Sequence, residues 1–97
     1  MQLLLFHLGK LLKDPPIVIN FFDWRDNVED VMGEVKELSP YVYGRLQDLI
    51  TEVVRRADVH VEDLDNEAAP SDTERSYHEY FTQAGFVASE INSIKSL

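Results

Sequence analysis

Apolar residues recur at three- and four-residue intervals through the middle of the chain, which places them on one face of a helix. The first stripe is Val28, Val31, Met32, Val35 and Leu38, and the second is Val42, Leu46, Leu49, Ile50, Val53, Val54 and Ala57. Asp26 and Glu29 have capping-box spacing, and Ser39-Pro40 combines an N-cap residue with a proline at the first helical position. We therefore predict helices at about 26–38 and 40–57, which form either a hairpin or a sharp corner.

Two other segments have the composition of short strands. Residues 17–22, Ile-Val-Ile-Asn-Phe-Phe, follow the helix-breaking Asp14-Pro15-Pro16 and consist mainly of β-branched and aromatic residues. Residues 59–63 alternate apolar Val59 and Val61 with polar neighbours. We predict an α+β fold that is mainly α, with four to five helices and a two-stranded element at about 17–22 and 59–63.

The C-terminal third predicts two further helices. Ser71 and Glu74 have capping-box spacing, an aromatic stripe follows, and Gly85 is a candidate residue for ending the helix. A last short helix would carry Val87, Ile91, Ile94 and Leu97. The pair in residues 77–97 has nearly the spacing of a helix-turn-helix, so a DNA-binding regulator is the alternative function. Lys95 is the only cation in the second helix, and a chain of net charge −9 opposes binding to phosphates.

Length and composition are those of one small globular domain spanning residues 1–97. The chain has no cysteine, which excludes disulfides and thiolate chemistry and favours a cytoplasmic setting. The apolar start of the chain lacks a preceding basic residue and a small-residue cleavage site, so we expect a buried element of the fold and neither a signal peptide nor a membrane span. The apolar content also favours a homodimer.

Negative charge is concentrated in residues 58–79, which contain eight carboxylates and only one arginine or lysine, Arg75. This segment carries a formal charge of −7 out of the chain's −9. Such a field attracts cationic partners, raises their encounter rate and repels nucleic acids. The carboxylates are those of Asp58, Glu62, Asp63, Asp65, Glu67, Asp72, Glu74 and Glu79.

Calcium binding is a weaker interpretation of the same segment. Residues 63–74 place acidic residues at the first, third, fifth and last positions of an EF-hand loop. Ala68 stands where the loop needs glycine, however, and Pro70 interrupts it. His60, flanked by Asp58 and Glu62, is expected to face solvent on a strand edge. We therefore predict a solvated acidic loop with no metal and no cofactor.

No arrangement of side chains suggests catalysis. We predict a small, acidic, non-enzymatic binding protein of the inhibitor, immunity, antitoxin or adaptor type that docks on a basic protein surface. The predicted binding residues are Asp58, Glu62, Asp63, Asp65, Glu67, Asp72 and Glu74, with Trp24 as an aromatic anchor exposed where the chain leaves the first strand.

Overall fold

The computed structural model describes residues 1–96, which form four α-helices connected by short segments. The helices are α1 (Gln2–Lys13), α2 (Phe21–Leu38), α3 (Pro40–Asp65) and α4 (Pro70–Lys95), and a single 3₁₀ turn (Val18–Asn20) precedes α2. The part of the chain described contains no strand. The fold is therefore all-α, and the predicted α+β class is wrong.

The predicted strand at 17–22 is a 3₁₀ turn followed by the start of α2. The Asn20 side chain accepts a hydrogen bond from the Ile17 backbone N–H at 2.7 Å, which closes the turn. Phe21 then begins the helix, and both Phe21 and Trp24 are buried on its inner face. Local hydrogen bonding and helical packing thus override the β-preference of this segment.

The predicted strand at 59–63 is also wrong, because α3 continues through it to Asp65. Val53, Ala57, His60 and Val61 are all buried. Counted from Val53, the other three positions follow after four, seven and eight residues, so the buried stripe of α3 continues beyond Ala57.

The two helices predicted from the central stripes are confirmed, with different outer limits. Ser39 alone separates α2 from α3, and its side-chain oxygen accepts a hydrogen bond from the Val42 backbone N–H at 3.3 Å. Pro40 occupies the first helical position, as predicted. Helix α2 begins at Phe21 rather than at Asp26, which lies one turn inside the helix.

Helices α3 and α4 form a long antiparallel hairpin. Arg45 forms an ion pair with Glu90, and Arg56 Nη1 donates to the Glu79 carbonyl oxygen at 2.9 Å. Three buried polar side chains lie between the two helices, and all are hydrogen-bonded: His60, Ser76 and Gln83. The principal extents of the molecule are 43 × 22 × 18 Å. The longest extent corresponds to the hairpin, because each of its helices has 26 residues and is therefore about 39 Å long.

Helix α1 is held against α2 and α4 by its last turn. The indole Nε1–H of Trp24 donates to the Leu11 carbonyl oxygen at 2.8 Å, and the Tyr80 hydroxyl donates to the Leu12 carbonyl oxygen at 2.7 Å. The last four carbonyl groups of a helix have no partner within the helix. Two of these groups in α1 are therefore satisfied by buried aromatic side chains of two other helices, and burial raises the pKa of the Tyr80 hydroxyl. None of the helices in residues 1–96 has the length and apolar character of a membrane span.

The helix-turn-helix interpretation of residues 77–97 is wrong for every residue that the structure describes. Helix α4 runs without interruption from Pro70 through Gly85 to Lys95, and its N-cap is Ala69 rather than Ser71. A helix-turn-helix needs two helices that cross at a turn, and here one continuous helix occupies both positions. Leu97, assigned to the last predicted helix, lies outside the described residues.

Candidate protein-binding site at the hairpin end

The turn between α3 and α4 has a defined geometry built around an acidic residue. Glu67 has a φ of 51°, the left-handed conformation that usually requires glycine, and it is the only non-glycine residue with positive φ among those described. The Ala68 N–H donates to the Asp63 carbonyl at 2.9 Å, and the Glu67 N–H donates to the Leu64 carbonyl at 3.4 Å. This pair of bonds is a Schellman motif, with glutamate in the position that glycine normally takes.

Six carboxylates lie at this end of the hairpin, which we call the acidic tip (residues 62–74). They belong to Glu62, Asp63, Asp65, Glu67, Asp72 and Glu74. Arg75 is the nearest cation along the chain, and its Nη2 pairs with Asp72 at 2.8 Å. Arg55 and Arg56 pair instead with Glu52, whose pKa their hydrogen bonds lower to about 2. Most of the negative charge of the tip is therefore left unneutralised.

The end of α3 is an unfavourable place for these charges. The carbonyl end of a helix carries a partial negative charge, so cations stabilise it and carboxylates destabilise it. Glu62, Asp63 and Asp65 occupy the last turn of α3, which contains no basic residue. On the other side of the turn, Asp72 lies in the first turn of α4, where a carboxylate is favourable. Helix stability therefore explains the charge at the start of α4 and does not explain the charge at the end of α3.

The remaining predicted binding residues lie away from the tip. Asp58 is exposed one helical turn before Glu62, and Glu79 is exposed within α4 more than one turn after Glu74. Trp24 is buried, with 6% of its surface exposed, and packs against Phe21 and Tyr80. The prediction that Trp24 is an exposed anchor is wrong, because the residue lies on the inner face of a helix rather than at the end of a strand.

His60 is buried between α3 and α4 rather than exposed on a strand edge, so that prediction is also wrong. Its Nδ1 lies 2.9 Å from the Ser76 hydroxyl oxygen. The Ser76 hydroxyl oxygen also lies 3.1 Å from the Thr73 carbonyl oxygen, so His60, Ser76 and Thr73 form one hydrogen-bonded chain. Burial lowers the pKa of His60, although the nearby Asp63 carboxylate acts in the opposite direction.

The loop required by the calcium interpretation is not formed. Asp63 and Asp65 lie within α3, Pro70 already belongs to α4, and only residues 66–69 connect the helices. An EF-hand loop wraps twelve residues around its ion, which a four-residue turn cannot do. No cluster of three or more metal-binding side chains occurs in residues 1–96.

An exposed apolar surface spans the 3₁₀ turn and the first residues of α2, and the sequence interpretation missed it because it assigned these residues to a buried strand. Ile19 is 89% exposed and Phe22 is 65% exposed, and Ile17 and Val18 are also exposed. We call residues 17–22 the apolar corner. The Arg25 guanidinium lies over the Phe22 ring, 5.1 Å from its centroid. The length of the apolar run was visible in the sequence, but its exposure depends on the turn that Asn20 closes.

The apolar corner lies toward the same end of the molecule as the acidic tip. Helices α2 and α3 run antiparallel from Ser39, so residue 20 is roughly level with residue 58 of α3 at the same rise per residue. Consistent with this position, the 3₁₀ turn contacts α3. Comparison of the chain with protein-family models, curated proteins and solved structures finds no match.

Proposed function

We propose that this protein is a non-enzymatic binding domain that docks on a basic protein surface through the acidic tip. The observation that supports this most directly is the position of three carboxylates in the last turn of α3, without a compensating cation. Glu67 adds a fourth carboxylate in a backbone conformation that glycine would adopt more easily. Residues kept where they reduce stability are candidates for function.

The tip would act mainly on the association rate. A concentrated field of one sign accelerates the encounter with an oppositely charged surface and orients the two molecules before contact. Charges at an exposed tip contribute little affinity after docking, because water and salt screen them. The affinity would then depend on apolar contacts, and the apolar corner, toward the same end of the molecule, offers exposed apolar side chains. The chain has no cysteine and therefore no disulfide of the kind that is common in secreted proteins. We accordingly propose that the partner is cytoplasmic.

The proposal can be tested with two charge-matched variants. The tip variant Asp63→Asn, Asp65→Asn, Glu67→Gln removes three carboxylates from the proposed site. The control variant Asp30→Asn, Glu34→Gln, Glu37→Gln removes three exposed carboxylates from α2, so both variants have the same net charge. A partner copurified with the wild-type chain from its source cells is then measured against all three proteins by surface plasmon resonance.

We expect the tip variant to bind about fivefold or more weakly, almost entirely through slower association, and the control variant to bind as the wild type does. Raising salt from about 50 to about 500 mM should slow the wild type much more than the tip variant. If both variants lose association equally, net charge alone is responsible and the tip is not the site. If neither variant changes, the acidic tip is only a solvated surface.

The apolar corner requires a separate variant. Phe22→Ala removes an exposed ring without opening a cavity in the core, so folding should be little affected. We expect it to speed dissociation of the same partner and leave association nearly unchanged. An unchanged dissociation rate would place the apolar contacts elsewhere.

A further inference from the structure

A second surface, between α1 and the C-terminal half of α4, carries the opposite charge. Helices α1 and α4 leave an open groove between them with a volume of about 280 Å³, and its lining is almost entirely apolar. Leu12, Phe81, Ala84 and Ile91 supply most of that lining. A second recess of about 200 Å³ extends the groove past Leu5 and Phe6 toward the start of α1. The two recesses share Gly9, Lys13, Ala88 and Ile91, so they form one continuous surface, which we call the lysine groove.

Three of the chain's four lysines border this groove: Lys10, Lys13 and Lys95. All three are exposed, and within residues 1–96 none is in a salt bridge. Lys10 lies over the Phe6 ring, 5.5 Å from its centroid, and so remains close to the apolar lining. In a chain with twice as many carboxylates as cations, three lysines around one apolar groove are a local reversal of charge.

Two glycines face the groove from opposite sides, Gly9 from α1 and Gly85 from α4. Both lie inside helices, where glycine is less stable than alanine by roughly 0.5–1 kcal/mol. A Cβ atom at either position would meet nothing within 4 Å, so the fold itself does not require glycine there. Because neither glycine has a side chain, the backbone of another molecule has room to approach α1 and α4 closely at these two positions.

We propose that the lysine groove binds an acidic amphipathic helix of a partner protein. Apolar side chains on one face of such a helix would fill the groove, and carboxylates flanking that face would reach the three lysines. The anchor residues of a helix bound in this way, at i, i+3, i+4 and i+7, span about two turns. Helix α1 supplies about two turns between Phe6 and Lys13. The proposal does not depend on the acidic tip.

Charge disfavours the other possible occupants. A symmetric dimer would bring the same surface of two copies together, and the lysines of each copy would then face those of the other. A membrane surface is flat, whereas the apolar lining is concave, and the net charge of −9 opposes approach to anionic lipids. A helix with acidic flanks matches both the shape and the charge of the groove.

The direct test uses a designed helical peptide of about 16 residues, with leucines on one face and glutamates beside them. Its twin has lysines in place of the glutamates. Each peptide is titrated into the ¹⁵N-labelled full chain, and amide shifts are followed by NMR. We expect the acidic peptide to bind at least about tenfold more tightly than its twin, with the largest shifts at Gly9, Gly85 and Ala88.

Two pairs of variants locate the binding. Lys13→Gln with Lys95→Gln should weaken the acidic peptide about fivefold, whereas Lys36→Gln, which changes the one lysine outside the groove, should not. Gly85→Leu should block the groove and weaken binding about tenfold or more. Gly44→Leu is its control, because Gly44 is also an open helical position and lies outside the groove. Leucine favours helix over glycine, so neither glycine variant should lower the melting temperature.

Several results would overturn the proposal. Equal binding of the two peptides would show that charge complementarity plays no part. Amide chemical-shift changes centred on other residues would show that the peptide binds outside the groove. Self-association that Gly85→Leu abolishes, measured by sedimentation without peptide, would assign the groove to a second copy. Binding to vesicles of anionic phospholipid, with no binding to the acidic peptide, would assign it to a membrane surface. The tip variant Asp63→Asn, Asp65→Asn, Glu67→Gln should bind the acidic peptide as the wild type does, so the two proposals can fail separately.

Discussion

The turn at Glu67 allows a quantitative test of how the acidic tip affects stability. An L-residue in the left-handed conformation is less stable by roughly 1–2 kcal/mol than in the right-handed one, and glycine has no such penalty. Glycine loses more conformational freedom on folding, which offsets about 0.5–1 kcal/mol. Because Glu67 has a φ of 51° and the flanking hydrogen bonds close a Schellman motif, Glu67→Gly should stabilise the chain by a net of about 0.5–1 kcal/mol.

The control for this prediction is Glu67→Ala, which removes the same carboxylate and keeps a Cβ atom. The difference between the glycine and alanine variants isolates the backbone effect, and the difference between alanine and the wild type isolates the charge. For a chain of this length, the glycine variant should melt about 2–8 °C above the alanine variant. Thermal and urea unfolding followed by far-ultraviolet circular dichroism measure both differences. A glycine variant no more stable than the alanine variant would show that the turn is not strained.

Three further outcomes are expected. Tyr80→Phe should lower the unfolding free energy by about 1–3 kcal/mol in urea titrations, because it leaves the buried Leu12 carbonyl without its partner; an effect below about 0.5 kcal/mol would refute that role. Ser39→Ala should lower it by about 1 kcal/mol through loss of the N-cap bond to Val42, whereas Ser39→Asp should retain most of the stability. His60 should titrate by NMR below its ordinary pKa of 6.5; since the folded state then binds protons less readily than the unfolded state, its contribution to stability should fall as pH is lowered through 6.5, and a midpoint above 6.5 would contradict this.

The sequence predicted the two central helices correctly because their stripes are uninterrupted and Ser39-Pro40 marks the boundary between them. The errors in α3 and α4 have different causes. In α3, the polar His60 between Val59 and Val61 suggested the alternation of a strand, although His60 is buried by its packing against α4 and its hydrogen bond to Ser76. In α4, Gly85 suggested the end of a helix that in fact continues through it.

The error at residues 17–22 has a different origin. The helical stripe of α2 already begins at Phe21, because Phe21, Trp24 and Val28 are buried at spacings of three and four residues. The adjoining Ile-Val-Ile run suggested a strand instead. The charge of the acidic tip was evident from composition, whereas its position at the end of a hairpin was not. The lysine groove could not be predicted at all, because Lys13 and Lys95 are 82 residues apart and meet only through the packing of α1 on α4.

The way α1 ends has a consequence for biosynthesis. Its last turn is completed by the hydroxyl of Tyr80, which lies 68 residues later in the chain than the Leu12 carbonyl that it bonds. At roughly 5–20 residues per second, a ribosome needs about 3–14 s to synthesise the intervening segment. Through that interval the leucines of α1 have no α4 to pack against, although α2 and α3 can already form. The first helix of the fold is therefore among the last to find its complete set of neighbours, and nascent chains should be most vulnerable to aggregation and to chaperone capture there.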